Sequence, residues 1–315
     1  MTYASIAALA EKLRENIGRV IVGSRREIDL MLTSLLAGGH VLLEDVPGTG
    51  KTTLAKALAR SLDCGFARVQ FTPDLLPADI TGMRVYHQQE GAFTFIKGPA
   101  FTNILLADEI NRATPRTQAA LLECMEERQI TEGGVTYPLS APFLVIATQN
   151  PVETQGTFPL PEAQLDRFLM RLPMGALQGE EALMMMRRFA AGRPLEELTP
   201  VATGREVIEA AESCRGCRVD EDVMRYMIAL CEAARDQSRV RLGPSPRALL
   251  ALMRACQARA AIHGRDYVIP DDVKDLAVPV LAHRIVMRGL NAQTEAAAFV
   301  EELLARVPAP TEVYP

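Results

Sequence analysis

Leu42-Leu43-Glu44-Asp45-Val46-Pro47-Gly48-Thr49-Gly50-Lys51-Thr52-Thr53 is an apolar strand that breaks into a glycine-rich loop and then a helix. Val41, Leu42 and Leu43 read as a buried strand, and Thr53-Leu54-Ala55-Lys56-Ala57-Leu58-Ala59 is built from strong helix formers. Between them the glycines let backbone N–H groups turn toward an anion, and the helix N-terminus adds partial positive charge. The candidate phosphate-binding run is Pro47, Gly48, Thr49, Gly50, Lys51, Thr52 and Thr53. Lys51 is placed to reach the β- and γ-phosphates of ATP, and the Thr52 hydroxyl to ligate Mg2+.

The run departs from the P-loop pattern at one place, where Asp45 stands for the first glycine. A second signal supports the phosphate reading over a chance Gly-Lys-Thr turn. Asn103-Ile104-Leu105-Leu106-Ala107-Asp108-Glu109 is a short apolar run ending in two carboxylates. Such a run suits a central parallel strand whose carboxyl end faces the site. Asp108 would hold Mg2+ directly or through water, and Glu109 would orient and deprotonate an attacking water. A third apolar run, Phe143-Leu144-Val145-Ile146-Ala147-Thr148-Gln149-Asn150, ends in amides, and Asn150 can hydrogen-bond the γ-phosphate or that water. Arg167 follows in Leu160-Pro161-Glu162-Ala163-Gln164-Leu165-Asp166-Arg167-Phe168. It is either a surface ion-pair partner or a finger for a phosphate held by a neighbouring subunit.

These signals, in this order, resemble the AAA+ ATPases, and the wording between them resembles the MoxR family. The segments that carry the likeness are 70–82, 108–113, 118–128, 147–151 and 160–168, and it extends from Gly23 to about Leu290. Magnesium-chelatase ATPase subunits and minichromosome-maintenance helicases are neighbouring families. The resemblance implies an α/β P-loop core, a parallel sheet sandwiched by helices, followed by a smaller all-α lid. It also implies that Ile21, Val22 and Gly23 line the adenine pocket. Arg247, in Gly243-Pro244-Ser245-Pro246-Arg247, is similar to the second sensor motif, which contacts the γ-phosphate and couples the lid.

Along the chain, residues 1–172 read as an N-terminal helix plus the nucleotide-binding core, 173–305 as the helical lid and 306–315 as a flexible tail. Two β-hairpins, Met83–His87 with Ala92–Ile96 and Gln129–Glu132 with Val135–Leu139, interrupt the core. They either cover a sheet edge or, as the resemblance implies, face a ring's pore and touch a client. Phe93, Phe95 and Tyr137 are the aromatics expected to be exposed on them.

Charged residues make up 23% of the 315 and the net charge is −5, so a general attraction to nucleic acid is not expected. No apolar run approaches the length of a membrane span, and the N-terminus has no secretory pattern, which fits a cytoplasmic protein. Cys214-Arg215-Gly216-Cys217 has the spacing of half a zinc site or a redox pair, but no second pair accompanies it; a helix end at Gly216 is the alternative.

The expected activity is ATP hydrolysis by a homo-oligomeric, hexameric ring with chaperone-like remodelling or metal insertion into client proteins. The resemblance adds a partner carrying a von Willebrand factor A domain. The alternatives are a nucleic-acid-dependent motor and a nucleotide-held scaffold with little turnover.

Overall fold

The computed structural model describes residues 1–23, 25–44, 50–89, 91–150, 156–173, 175, 178–236, 238–288 and 292–310, without the side chains of 292–294. The chain opens with α1 (Tyr3–Gly18) and α2 (Arg25–Leu36), then β1 (Val41–Glu44), α3 (Lys51–Ser61) and β2 (Phe66–Gln70). Helix α4 (Pro77–Thr81) leads into the hairpin β3 (Gly82–His87) and β4 (Ala92–Lys97), followed by β5 (Ile104–Asp108) and α5 (Pro115–Glu127). The second hairpin is β6 (Gln129–Glu132) and β7 (Val135–Pro138), turning through Gly133-Gly134. Then come β8 (Leu144–Gln149), α6 (Glu162–Leu165) and β9 (Met170–Pro173). The remaining elements are α7 (Glu180–Ala191), α8 (Gly204–Cys214), α9 (Glu221–Ala233), β10 (Val240–Leu242), α10 (Pro246–Ile262), α11 (Pro270–Leu281), β11 (Val286–Met287) and α12 (Ala292–Arg306).

Five parallel strands form the central sheet in the order β2-β5-β8-β1-β9. The three runs read as strands from sequence are its interior, and their pleat feeds two cores. Leu43, Ile104, Leu106, Leu144 and Ile146 face a cluster shared with α1, α3 and the lid helices. Leu42, Leu105, Ala107, Val145 and Ala147 face a cluster shared with α5 and Phe168. Burial on both faces explains why these strands read as continuous apolar runs rather than alternating ones. The edge strands β2 and β9 mix polar residues into short segments, and sequence patterning did not single them out.

The first cluster extends without a break from α1 and α2 into α8, α9, α10 and α11, so the N-terminal helices pack on the lid as well as on the core. Within the helical lid, β10 and β11 pair briefly as antiparallel strands. At the end of the chain, Val307 and Ala309 pack against this cluster; residues 311–315 lie outside the described ones. All six cysteines are free, and burial raises the Cys214 thiol to about 12 and the Cys217 thiol to about 11. Cys214 and Cys217 are both buried, and among the described residues no group of three His, Cys, Asp or Glu side chains stands together as a candidate metal site.

His40, immediately before β1, ties three elements together. Its Nδ1 accepts from the Val145 N–H at 2.9 Å and its Nε2 donates to the Met125 carbonyl at 3.1 Å. Those roles require the neutral ring, and burial, with Arg128 adding to it, lowers its pKa to about 3. His283 is likewise buried and held well below the usual histidine value, chiefly by burial and then by Arg284. Unfolded imidazoles take up a proton near pH 6.5 while these two do not, so their stabilising contribution is present above that pH and is lost on acidification. Lowering the pH from 7.5 to 5.5 should reduce the unfolding free energy by about 1.4 kcal/mol per imidazole. Urea titrations at the two pH values measure this, and equal values would contradict the neutral assignment.

Candidate nucleotide site

The carboxyl ends of β5, β8 and β1 lie side by side, which brings Asp108, Gln149 and Glu44 to one edge of the sheet. Glu44 is held from both flanking strands: Gln149 donates to its Oε1, and Arg171 on β9 pairs with Oε2 at 2.5 Å. Asp45, Pro47, Gly48 and Thr49 lie outside the described residues. Gly50 adopts φ +86°, the left-handed conformation that glycine takes without strain, and hands the chain into α3. Lys51, Thr52 and Thr53 therefore form the first turn of α3. That is the geometry that collects backbone N–H groups around a phosphate.

The carboxylate pair is organised by a residue that the sequence reading did not single out. The buried Thr148 hydroxyl on β8 donates to Oδ1 of Asp108 at 2.6 Å and accepts the backbone N–H of Glu109 at 2.9 Å. Glu109 has φ +56°, unusual for a residue with a Cβ and therefore a conformation imposed by its surroundings. Its Oε2 accepts from Gln70 at 2.8 Å and pairs with Arg112 at 3.3 Å. Arg68 donates to Oδ2 of Asp108. Asn150 is buried at the end of β8, one residue beyond Gln149. Carboxylate oxygens, a threonine hydroxyl and a helix N-terminus are a donor set that suits Mg2+ beside a nucleotide phosphate.

Ile21, Val22 and Gly23 line a cavity of about 620 Å³ together with Ile28, Met184 and Arg188. Gly23 sits at φ +74°, and a Cβ there would come within 2.5 Å of the Glu181 carboxyl carbon, so the turn closely approaches α7. Arg188 of α7 donates to the Gly18 carbonyl at the end of α1.

Comparison with known proteins agrees with this architecture. The family model for ATPases associated with various cellular activities (AAA) matches residues 40–170, and the AAA lid domain model matches residues 232–303. Chaperone MoxR1 of Mycobacterium tuberculosis is 41% identical over 86% of this chain and 74% of its own. Protein MoxR of Paracoccus denitrificans is 35% identical over 92% and 93%. The chain belongs to the MoxR family of AAA ATPases. The uncharacterised Bacillus subtilis protein YeaC is 47% identical, with 96% of both chains covered. A crystal structure from Cytophaga hutchinsonii superposes with a TM-score of 0.90 at 39% identity, covering 98% of this chain and 97% of that one.

In this MoxR-family chain the two expected arginines share a cleft whose lining does not include Lys51. Arg167 and Arg247 line one cleft of about 440 Å³ together with Gly38 and His40, which precede β1. Lys51 follows the opposite end of that strand. Sequence reading placed Arg247 at a γ-phosphate; within one chain it instead pairs with Glu126 near the end of α5, at 2.8 and 3.2 Å. The Arg167 side chain makes no hydrogen bond or ion pair among the described residues. Its neighbour Asp166 accepts from Arg284 at 2.6 Å and from Ser245 at 3.1 Å, which fastens this segment to the lid.

Hairpin aromatics divide into two sets. Phe93 is 58% exposed and pairs with Tyr86 at 5.1 Å. Phe95 and Tyr137, expected to be exposed, are half-buried and stack at 4.4 Å, joining the two hairpins and packing on Phe101.

Thr148→Val keeps the shape of the side chain but removes both of its hydrogen bonds. It should destabilise the fold by about 1–3 kcal/mol, because a buried backbone N–H and a carboxylate oxygen lose their partner. Chemical denaturation measures the loss, and an unchanged midpoint would show that water replaces the hydroxyl.

Proposed function

We propose that this protein hydrolyses ATP and uses the cycle for chaperone-like remodelling of client proteins, acting as a ring of identical subunits, hexameric by resemblance. In this reading Lys51, Thr52 and the 47–50 loop bind the phosphates, with Thr53 and the Ile21–Gly23 segment completing the nucleotide site. Asp108 and Thr52 hold Mg2+, which neutralises phosphate charge when bound. Glu109 takes the proton of the attacking water and Asn150 contacts the γ-phosphate.

The observation that carries the proposal is that Arg167 and Arg247 share a cleft with Gly38 and His40, which precede β1, whereas Lys51 comes after that strand in the chain. Both arginines would then act on the nucleotide of an adjacent copy, and turnover would require assembly. The relative named Chaperone MoxR1 supports the remodelling role. A von Willebrand factor A domain partner and metal insertion into a client follow from the family resemblance. The domain division at 172/173 falls before the last residue of β9 and remains part of this reading. No helix among the described residues is long and apolar enough to cross a membrane, and a cytoplasmic location is proposed with the rest. Against a nucleic-acid motor, the lid arginines are engaged with acids: Arg239 with Glu302, Arg241 with Glu162 and Arg259 with Asp275.

Lys51→Ala should lose ATP binding, whereas Glu109→Gln should bind ATP and lose turnover. Arg167→Ala subunits should bind ATP and hydrolyse it poorly. Mixed with Lys51→Ala subunits they should regain activity, since the Lys51→Ala neighbour still offers its arginine. No recovery in mixtures shown by light scattering to co-assemble would remove Arg167 from the catalytic role.

The exposed Tyr86–Phe93 pair is the proposed client or partner contact. Tyr86→Ser with Phe93→Ser should leave the melting temperature and basal ATPase unchanged while abolishing stimulation by a partner or client. A lowered melting temperature with parallel loss of basal activity would make these rings structural instead.

A further inference from the structure

Two residues of the edge strand β2 close over the carboxylates of Asp108 and Glu109. Arg68 donates to Oδ2 of Asp108 from Nη2 at 2.6 Å and from Nε at 3.1 Å. The same Nη2 donates to Oε1 of Gln70 at 3.2 Å, and Nε2 of Gln70 donates to Oε2 of Glu109 at 2.8 Å. With Oδ1 taken by Thr148, both oxygens of Asp108 are engaged. Asp108, Arg68, Gln70 and Glu109 thus form one continuous chain of side-chain hydrogen bonds.

The strand builds this arrangement. Arg68 and Gln70 are two residues apart and share a face of β2, and Gln70 stands in register with Asp108 across the β2–β5 ladder. Asp108 is 16% exposed, whereas Arg68 is 46% exposed, so the guanidinium has solvent to move into while the carboxylate stays fixed. A divalent cation and a guanidinium repel each other, and both favour the same ionised carboxylate.

We infer that Arg68 is a positioning residue that serves as the internal counter-ion of Asp108 and competes with the divalent cation for it. The inference rests on the assignment of Asp108 as a metal-holding residue. When a cation engages Asp108, Arg68 swings toward solvent and Gln70 loses the donor that fixes its amide. The Gln70 bond to Glu109 is then weakened, so loading of the metal and release of the base are linked through two residues of one strand. Arg112 pairs with Glu109 rather than with Asp108 and lies outside this link. Because the Arg68–Asp108 pair is half open to solvent, the competition is modest rather than absolute.

The probe is Mn2+, titrated into the ADP-bound full-length protein, with the free ion followed by electron paramagnetic resonance. Arg68→Gln should tighten Mn2+ binding by about five-fold. Arg68→Met, which keeps the apolar stem, should do the same and serves if the glutamine variant folds poorly. Arg68→Lys, which keeps the charge, should stay closer to wild type than either. Unchanged or weaker binding in both neutral variants would overturn the inference, because it would make Arg68 neutral toward the cation or a helper. Asp108→Asn separates the two levels. If it weakens Mn2+ binding while the Arg68 variants do not tighten it, the competition alone is wrong. If Asp108→Asn leaves binding unchanged, the metal assignment fails and the inference falls with it.

Discussion

The Thr148 hydroxyl joins two neighbouring parallel strands at the point where the candidate chemistry is assembled. By donating to Asp108 and accepting from the Glu109 backbone, it fixes the carboxylate of one residue and the strained backbone of the next. Its position follows from the strand order, since β8 lies between β5 and β1. The same order sets Glu44 beside Gln149. A sheet with those three strands in any other order would scatter the same residues.

The opposite end of the sheet carries the second constraint. Arg284 is almost fully buried and donates to the Asp166 carboxylate and to the carbonyls of Asp166, Phe168 and Leu169. A buried guanidinium is tolerable when its donors are satisfied and its charge is paired, and here both conditions hold. This anchoring sets the segment bearing Arg167 against the start of α10, which bears Arg247. The arginine segment and the lid are therefore fastened together through Asp166, Ser245 and Arg284.

Much of this was legible in the sequence, and the exceptions have physical causes. The interior strands could be read because burial on both faces leaves an uninterrupted apolar run ended by functional polar residues. The hairpins could be read because alternation and Gly133-Gly134 mark them. Arg68, Gln70 and Thr148 were not singled out, because their roles depend on cross-strand register, which a single sequence does not display. The placement of Arg247 depended on where the lid docks, a long-range property set by α1 and α2 packing against α10. Phe95 and Tyr137 looked exposed because each hairpin was considered alone, whereas they bury each other.

The central claim is that a complete ATP site is shared between two copies of this chain. The most direct measurement is a structure of the Glu109→Gln protein assembled with ATP and Mg2+. The account predicts that the phosphates held by Lys51 of one subunit are contacted by Arg167 and Arg247 of the adjacent one. Arginines of the same chain on that phosphate, or a monomer with an ordered and fully contacted nucleotide, would contradict it.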